Sequence, residues 1–165
     1  MRMIFIKKNL KMNNYAFIDG QNLYLETLKL GRSIDYKKLK KYLFDKYKVE
    51  KVFYFIGYKK ENKFVYNYLK KYGYQIIFKE VIGKKGNCDS DLIVKCFQEI
   101  ENFNQAIIIS SDGDFLPLYK HLKSLNKLCK IGIPSIKSKS RLLNCLERYF
   151  LMLESIYKKI EYKVK

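Results

Sequence analysis

Five aspartates fall in three short segments of this chain, and their type and spacing suggest chemistry on phosphate. Asp19 follows Tyr15-Ala16-Phe17-Ile18 and precedes Gly20-Gln21-Asn22. Asp89 and Asp91 close Gly86-Asn87-Cys88-Asp89-Ser90-Asp91, and Asp112 and Asp114 lie in Ser110-Ser111-Asp112-Gly113-Asp114-Phe115. The chain around them is basic, with 34 Lys and Arg against 16 Asp and Glu and a formal charge of +18 over 165 residues. Carboxylates brought within a few ångströms repel, and they stay ionised together only where cations neutralise them. Oxygen ligands without His or Cys suit Mg²⁺ or Mn²⁺, and Mg²⁺ takes its remaining ligands from water and substrate phosphate. Acids inside a cationic body therefore suggest a divalent ion gripped by the acids and a phosphate chain gripped by the bases.

Each aspartate also has a plainer reading. Asp19-Gly20 could form an Asx-turn after a strand. Asp89 or Ser90 could cap a helix, and Asp114 is placed to cap one carrying Phe115, Leu118, Leu122 and Leu125. Asp112 is harder to explain away, because Asp114 already supplies that cap. The Gly83-Lys84-Lys85-Gly86 loop lacks P-loop spacing and is either a phosphate contact or a solvated turn. Ser110 and Ser111 have no evident partnering histidine, and His121 reads as a packing residue, so serine nucleophilic chemistry is disfavoured. Cys88, Cys96, Cys129 and Cys145 form no CxxC pair, so they read as core thiols of a reducing compartment rather than zinc ligands.

Apolar runs and helical periods alternate along the chain. Strands are expected at 15–19, 52–56, 74–78, 106–109, 128–133 and, as a last short one, 150–153. Helices are expected after Asp35 (Leu39, Tyr42, Leu43, Tyr47), through Phe64, Tyr68 and Leu69 up to Gly73, and through Leu92, Ile93, Cys96, Phe97 and Ile100. Further helices are expected after Asp114 and over 138–146. Strands alternating with helices of this length predict an α/β fold with a parallel sheet covered on both faces. Crossovers are right-handed, so if strands one to three step to one side of strand one, strand four returns to its other side; the order is then about 3-2-1-4-5, with strands one and four side by side at a topological switch point. Asp19 ends strand one, Asp112 ends strand four, and Asp89 and Asp91 open the crossover helix, so all five acids could line one crevice.

These motifs resemble the NYN domain family of PIN-like ribonucleases. Residues 15–23 resemble its opening strand with Asp and Asn, residues 85–92 its Lys-Gly-Asn-x-Asp segment, and residues 110–118 its Ser-x-Asp-x-Asp-Phe signature. The resemblance spans about residues 13–153 and implies a Rossmann-like three-layer α/β/α sandwich with a mostly parallel sheet. It also implies metal-dependent hydrolysis of RNA phosphodiester bonds. Position by position, it implies that Asp19, Asp89, Asp112 and Asp114 are metal-binding catalytic acids, with Asp91 a secondary ligand. Asn22, Ser111 and Lys85 become substrate-binding residues, and Mg²⁺ or Mn²⁺ the cofactor. The runner-up is a non-catalytic PIN-like module that binds nucleic acid or a protein.

The bulk composition fits these expectations. A surface this basic attracts polyanions such as RNA, and aromatics among lysines can stack on unpaired bases. A Lys-, Asn-, Tyr- and Ile-rich composition is also what AT-biased codons write. No apolar run approaches the ~20 residues that span a bilayer and no signal peptide is evident, so no membrane is expected and the location is expected to be cytoplasmic. Residues 1–13 are expected to be an extension, 14–153 the nuclease domain, and 154–165 a basic helix or tail. A homodimer is left open.

Overall fold

The computed structural model describes residues 12–79 and 89–162. Six strands, β1 (Asn14–Asp19), β2 (Val49–Gly57), β3 (Tyr74–Lys79), β4 (Ala106–Ile109), β5 (Leu128–Ile133) and β6 (Phe150–Met152), form one sheet in the order 3-2-1-4-5-6. All five strand pairings are parallel. The helices are α1 (Gly20–Lys29), α2 (Tyr36–Tyr47), α3 (Lys63–Lys71), α4 (Asp89–Gln98), α5 (Leu116–Ser124) and α6 (Tyr157–Ile160). The expected α/β sandwich and strand order hold, with β6 added outside β5.

Every residue of β1 and β4 is buried, because these central strands are covered on both faces and have no polar side to show. One core packs Phe17, Phe53, Phe55 and Ile108 against Leu92 and Cys96 of α4 and Leu118, Tyr119 and Leu122 of α5. The other packs Ala16, Ile18, Val52, Ile107 and Ile109 against Leu23 of α1, Leu39 and Leu43 of α2, Leu69 of α3 and Ile160 of α6. Alternate strand residues feed the two cores, as the two-residue side-chain period requires.

The elements depart from expectation in several places. Helix α1 was not foreseen. Its buried residues are Gly20, Leu23, Glu26 and Thr27, so a carboxylate and a hydroxyl interrupt the apolar stripe. Helix α3 buries Tyr66 and Leu69 rather than a Phe64 face, and Phe64 is 89% exposed. The stretch expected as a helix over 138–146 is mainly a 3-10 segment, Arg141–Tyr149. Asp114 does not cap α5. A 3-10 turn, Gly113–Phe115, comes first, and Asp112 caps it by accepting from Asp114 N at 2.9 Å. With Pro117 in its first turn, α5 starts only at Leu116. The C-terminal segment buries Ile156, Tyr157 and Ile160, and Ile160 O accepts from Asp35 N at 2.8 Å. Of the described cysteines only Cys96 is buried; Cys129 is half-buried and Cys145 exposed. Among the described residues no helix is long and apolar enough to cross a membrane.

Candidate metal centre

The site is built where β1 and β4 end side by side. Ile18 pairs with Ile109, so Asp19 and Ser110 leave the sheet at the same level. Asp19 then caps α1: its Oδ1 accepts from Asn22 N at 3.1 Å. Gly20 is required here, because a Cβ would run into the buried Tyr54 ring and within 2.8 Å of Phe55 O. Ser110, wholly buried, donates from Oγ to Asp19 Oδ2 at 3.2 Å and accepts from Asp112 N at 3.2 Å. Asn22 Oδ1 accepts from both the backbone N and the hydroxyl of Ser111, at 3.0 and 3.2 Å. One residue between the strand and Asp112 is thus tied to Asp19 and the next to α1. Gly113 is boxed in by Ser140 and Leu142, which leaves no room for a side chain between Asp112 and Asp114.

Asp89, Asp112 and Asp114 each present a carboxylate oxygen within 4.8 Å of the others. Asp89 comes from the first residue of α4 and the other two from the turn after β4. Asp19 is buried beside them, and its pKa is pushed up to about 6. Burial is the largest cause, the Asn22 backbone and Ser110 hydrogen bonds oppose it, and the charges of Asp89 and Asp112 add to it. Asp91 is exposed and lies apart from the three, lining a groove of about 630 Å³ between β3 and α4. Lys85, the Gly-Lys loop and Cys88 lie outside the described residues.

Other residues at the site were not singled out from sequence. Tyr119 of α5 is fully buried and its hydroxyl has no hydrogen-bond partner among the described residues. Its pKa is raised, first by burial and then by Asp19, Asp112 and Asp89, so the phenol stands close to the acids. Glu26, one helical turn after Asn22, lines a hollow of about 260 Å³ with Ser138, Ser140 and the two aspartates of the turn. Burial raises the Glu26 pKa, but hydrogen bonds from Lys29 and Ser138 outweigh this and hold it below the usual carboxylate range. The four-residue spacing of Asn22 and Glu26 was the available signal, and it could be read only once 20–29 was recognised as a helix.

These donors fit a hard divalent cation. They are oxygens only, and they converge from two elements. The parallel sandwich with acids at the strand-order switch point is an α/β arrangement with a candidate metal centre in its crevice. The NYN domain matches residues 15–153, and the chain belongs to this PIN-like nuclease family. No curated protein matches the chain. Among solved structures it is similar to a protein of unknown function from Vibrio parahaemolyticus, with a TM-score of 0.70 and 18% identity, covering 85% of this chain and 92% of that one. That likeness bears on the fold alone.

Proposed function

We propose that this chain hydrolyses RNA phosphodiester bonds with a divalent cation, Mg²⁺ or Mn²⁺, held by Asp89, Asp112 and Asp114. The observation that carries the reading is the convergence of those three carboxylates within 4.8 Å in a chain of charge +18. Such an ion, when bound, lowers the pKa of water and offsets charge on the phosphate. The residues of the chain do the rest. Asp112 is fixed in two ways: its backbone N–H is held by Ser110 and its own carboxylate holds Asp114 N. Asp19, poised near neutrality, is ionised when positive charge arrives beside it, and its carboxylate then adds to the attraction. Asn22 spends its carbonyl oxygen on Ser111, so its amide NH₂ is the part left to meet a substrate oxygen. Ser111 is buried and committed to Asn22, which makes it a positioning residue in this reading.

The test is cleavage of labelled RNA and DNA with Mg²⁺, Mn²⁺ or EDTA, wild type beside Asp112→Asn. The amide keeps an oxygen for Asp114 N, so the turn survives while the charge is lost. We expect RNA cleavage that needs the metal and disappears in the variant. Equal cleavage by clean Asp112→Asn protein would reject the assignment. RNA binding by wild type with no cleavage under any metal would make the chain a binding module.

A further inference from the structure

A second feature lies at the same edge of the sheet, on the β2 side of Asp19. Asp19 pairs with Phe55 in the β1–β2 register. Tyr58 comes three residues later, roughly 10 Å further along at about 3.3 Å per residue and one strand spacing away. Nearby lies a small groove of about 130 Å³, lined by Gln21, Tyr24 and Leu25 of α1 on one side and by Ile56, Gly57, Lys59 and Asn62 on the other; Tyr58 is not in the lining but stands in the chain between Gly57 and Lys59, which are. Both tyrosines are largely open to solvent, Tyr24 at 55% and Tyr58 at 53%.

Tyr58 is open but held firmly. Its ring lies 5.8 Å from Tyr66, tilted by 32°, and 5.4 Å from Phe78, nearly perpendicular. Tyr66 and Phe78 are themselves edge to face at 4.8 Å. The Tyr66 hydroxyl accepts from Lys59 N at 2.9 Å and donates to Gly57 O at 3.3 Å. A buried tyrosine thus fastens the backbone on both sides of Tyr58 and supports its ring from behind. An aromatic fixed this way loses little freedom when a flat partner lands on its open side. Lys59, Lys60 and Lys63 follow at once, all exposed, and supply the charge a phosphate chain would meet.

We propose that Tyr58 and Tyr24 offer stacking surfaces for unpaired bases of single-stranded nucleic acid, at the same edge of the sheet as the acids. The proposal deepens the nuclease reading and rests on it for the substrate being RNA. Base faces are available in single strands and hidden in duplexes, and ring-on-base stacking tolerates any sequence. The groove beside Tyr24 has room on the order of four water molecules at about 30 Å³ each, which suits one flat ring and not a base pair. A preference for unpaired substrate would follow from this edge of the sheet, separately from the chemistry at the aspartates.

The experiment is binding in EDTA, where no cleavage is needed, read by fluorescence anisotropy with a labelled single-stranded oligoribonucleotide and the same sequence as a duplex. Tyr58→Ala and Tyr24→Ala should each weaken single-strand binding about 5- to 30-fold and leave the duplex within twofold. Tyr58→Phe should keep wild-type affinity, since it keeps the ring. Phe64→Ala removes a ring that is more exposed but lies roughly 200° around α3 from Tyr66, and should change nothing. Unchanged binding by Tyr58→Ala, or an equal loss in Phe64→Ala or on the duplex, would overturn the proposal. So would a change of oligomeric mass in Tyr58→Ala with RNA affinity intact, which would assign the surface to a second copy of the chain. Failure of the nuclease reading shows instead as absent cleavage by wild type, with these binding differences still present.

Discussion

Asn22 Oδ1 takes two hydrogen bonds from Ser111, at 3.0 Å from the backbone N and 3.2 Å from the hydroxyl. The contact joins the first turn of α1, entered through Asp19, to the residue that precedes Asp112. Asn22→Ala should leave both Ser111 donors without their acceptor in a 2%-exposed residue, at a cost of about 1–3 kcal/mol. Urea unfolding reads the loss. Asn22→Leu keeps the volume without the acceptor and should also lose stability. A leucine variant as stable as wild type would mean that the side chain matters for volume and not for this bond.

Asp19 gives the site a pH signature. Its folded pKa of about 6 stands above the ordinary 3.8. Between those values the folded protein holds a proton that the unfolded chain has released. The Asp19 contribution to stability is therefore favourable at low pH and is lost as pH rises through about 6. Metal-free wild type, compared with Asp19→Asn across pH 4 to 7, should show this decline where the variant does not. Adding Mg²⁺ or Mn²⁺ above pH 6 should restore stability in wild type. A difference between the two proteins that stays constant with pH would contradict the raised pKa.

The sheet was legible because its strands are short continuous apolar runs, and the order 3-2-1-4-5 followed from crossover handedness once strands one to three were taken to step to one side of strand one. Ala106 to Ile109 had no other sensible reading. Helix α1 was not legible, because Glu26 and Thr27 lie on its buried side while Tyr24, Leu25 and Leu28 are exposed. Glu26 can occupy that side because Lys29 and Ser138 hydrogen-bond it, and those partners are invisible in a one-dimensional period. The crevice was placed by topology, but the division of labour among the acids was not. Asp112, thought free of a capping duty, is the residue that caps, and Asp114 donates the bond from its N–H. Asp91 differs from Asp89 by two positions, which on a helix is slightly more than a half-turn, and that rotation carries it to the β3 side.

The separation of Asp91 from the other acids has a direct consequence for cation binding. Asp114 lies within 4.8 Å of Asp89 and Asp112, whereas Asp91 lines the groove with Gln75, Ile77 and Val94. Asp114→Asn should weaken Mn²⁺ binding roughly tenfold or more, since ligand charge sets affinity in oxygen sites. Asp91→Asn should leave it within about twofold, because an exposed carboxylate outside the cluster contributes only a screened field. Isothermal titration calorimetry of the two variants decides. Equal loss in both would place the ion between α4 and β3 and not over the turn after β4.

Tyr119 offers a test of the site from beneath. Its hydroxyl is buried and without a partner among the described residues, an arrangement that costs free energy unless something at the acids accepts its hydrogen bond. Tyr119→Phe removes the hydroxyl and keeps the ring packed beside Phe115. In EDTA the variant should be more stable than wild type by about 1 kcal/mol. With saturating Mg²⁺ or Mn²⁺ the advantage should shrink or reverse, because wild type then gains a partner for the phenol among the oxygens gathered at the acids. The readout is the cation-induced shift in Tm, which should be smaller for the phenylalanine variant. A matching shift in the two proteins, with the advantage in EDTA preserved, would show that the hydroxyl stays unpartnered and plays no part in holding the site.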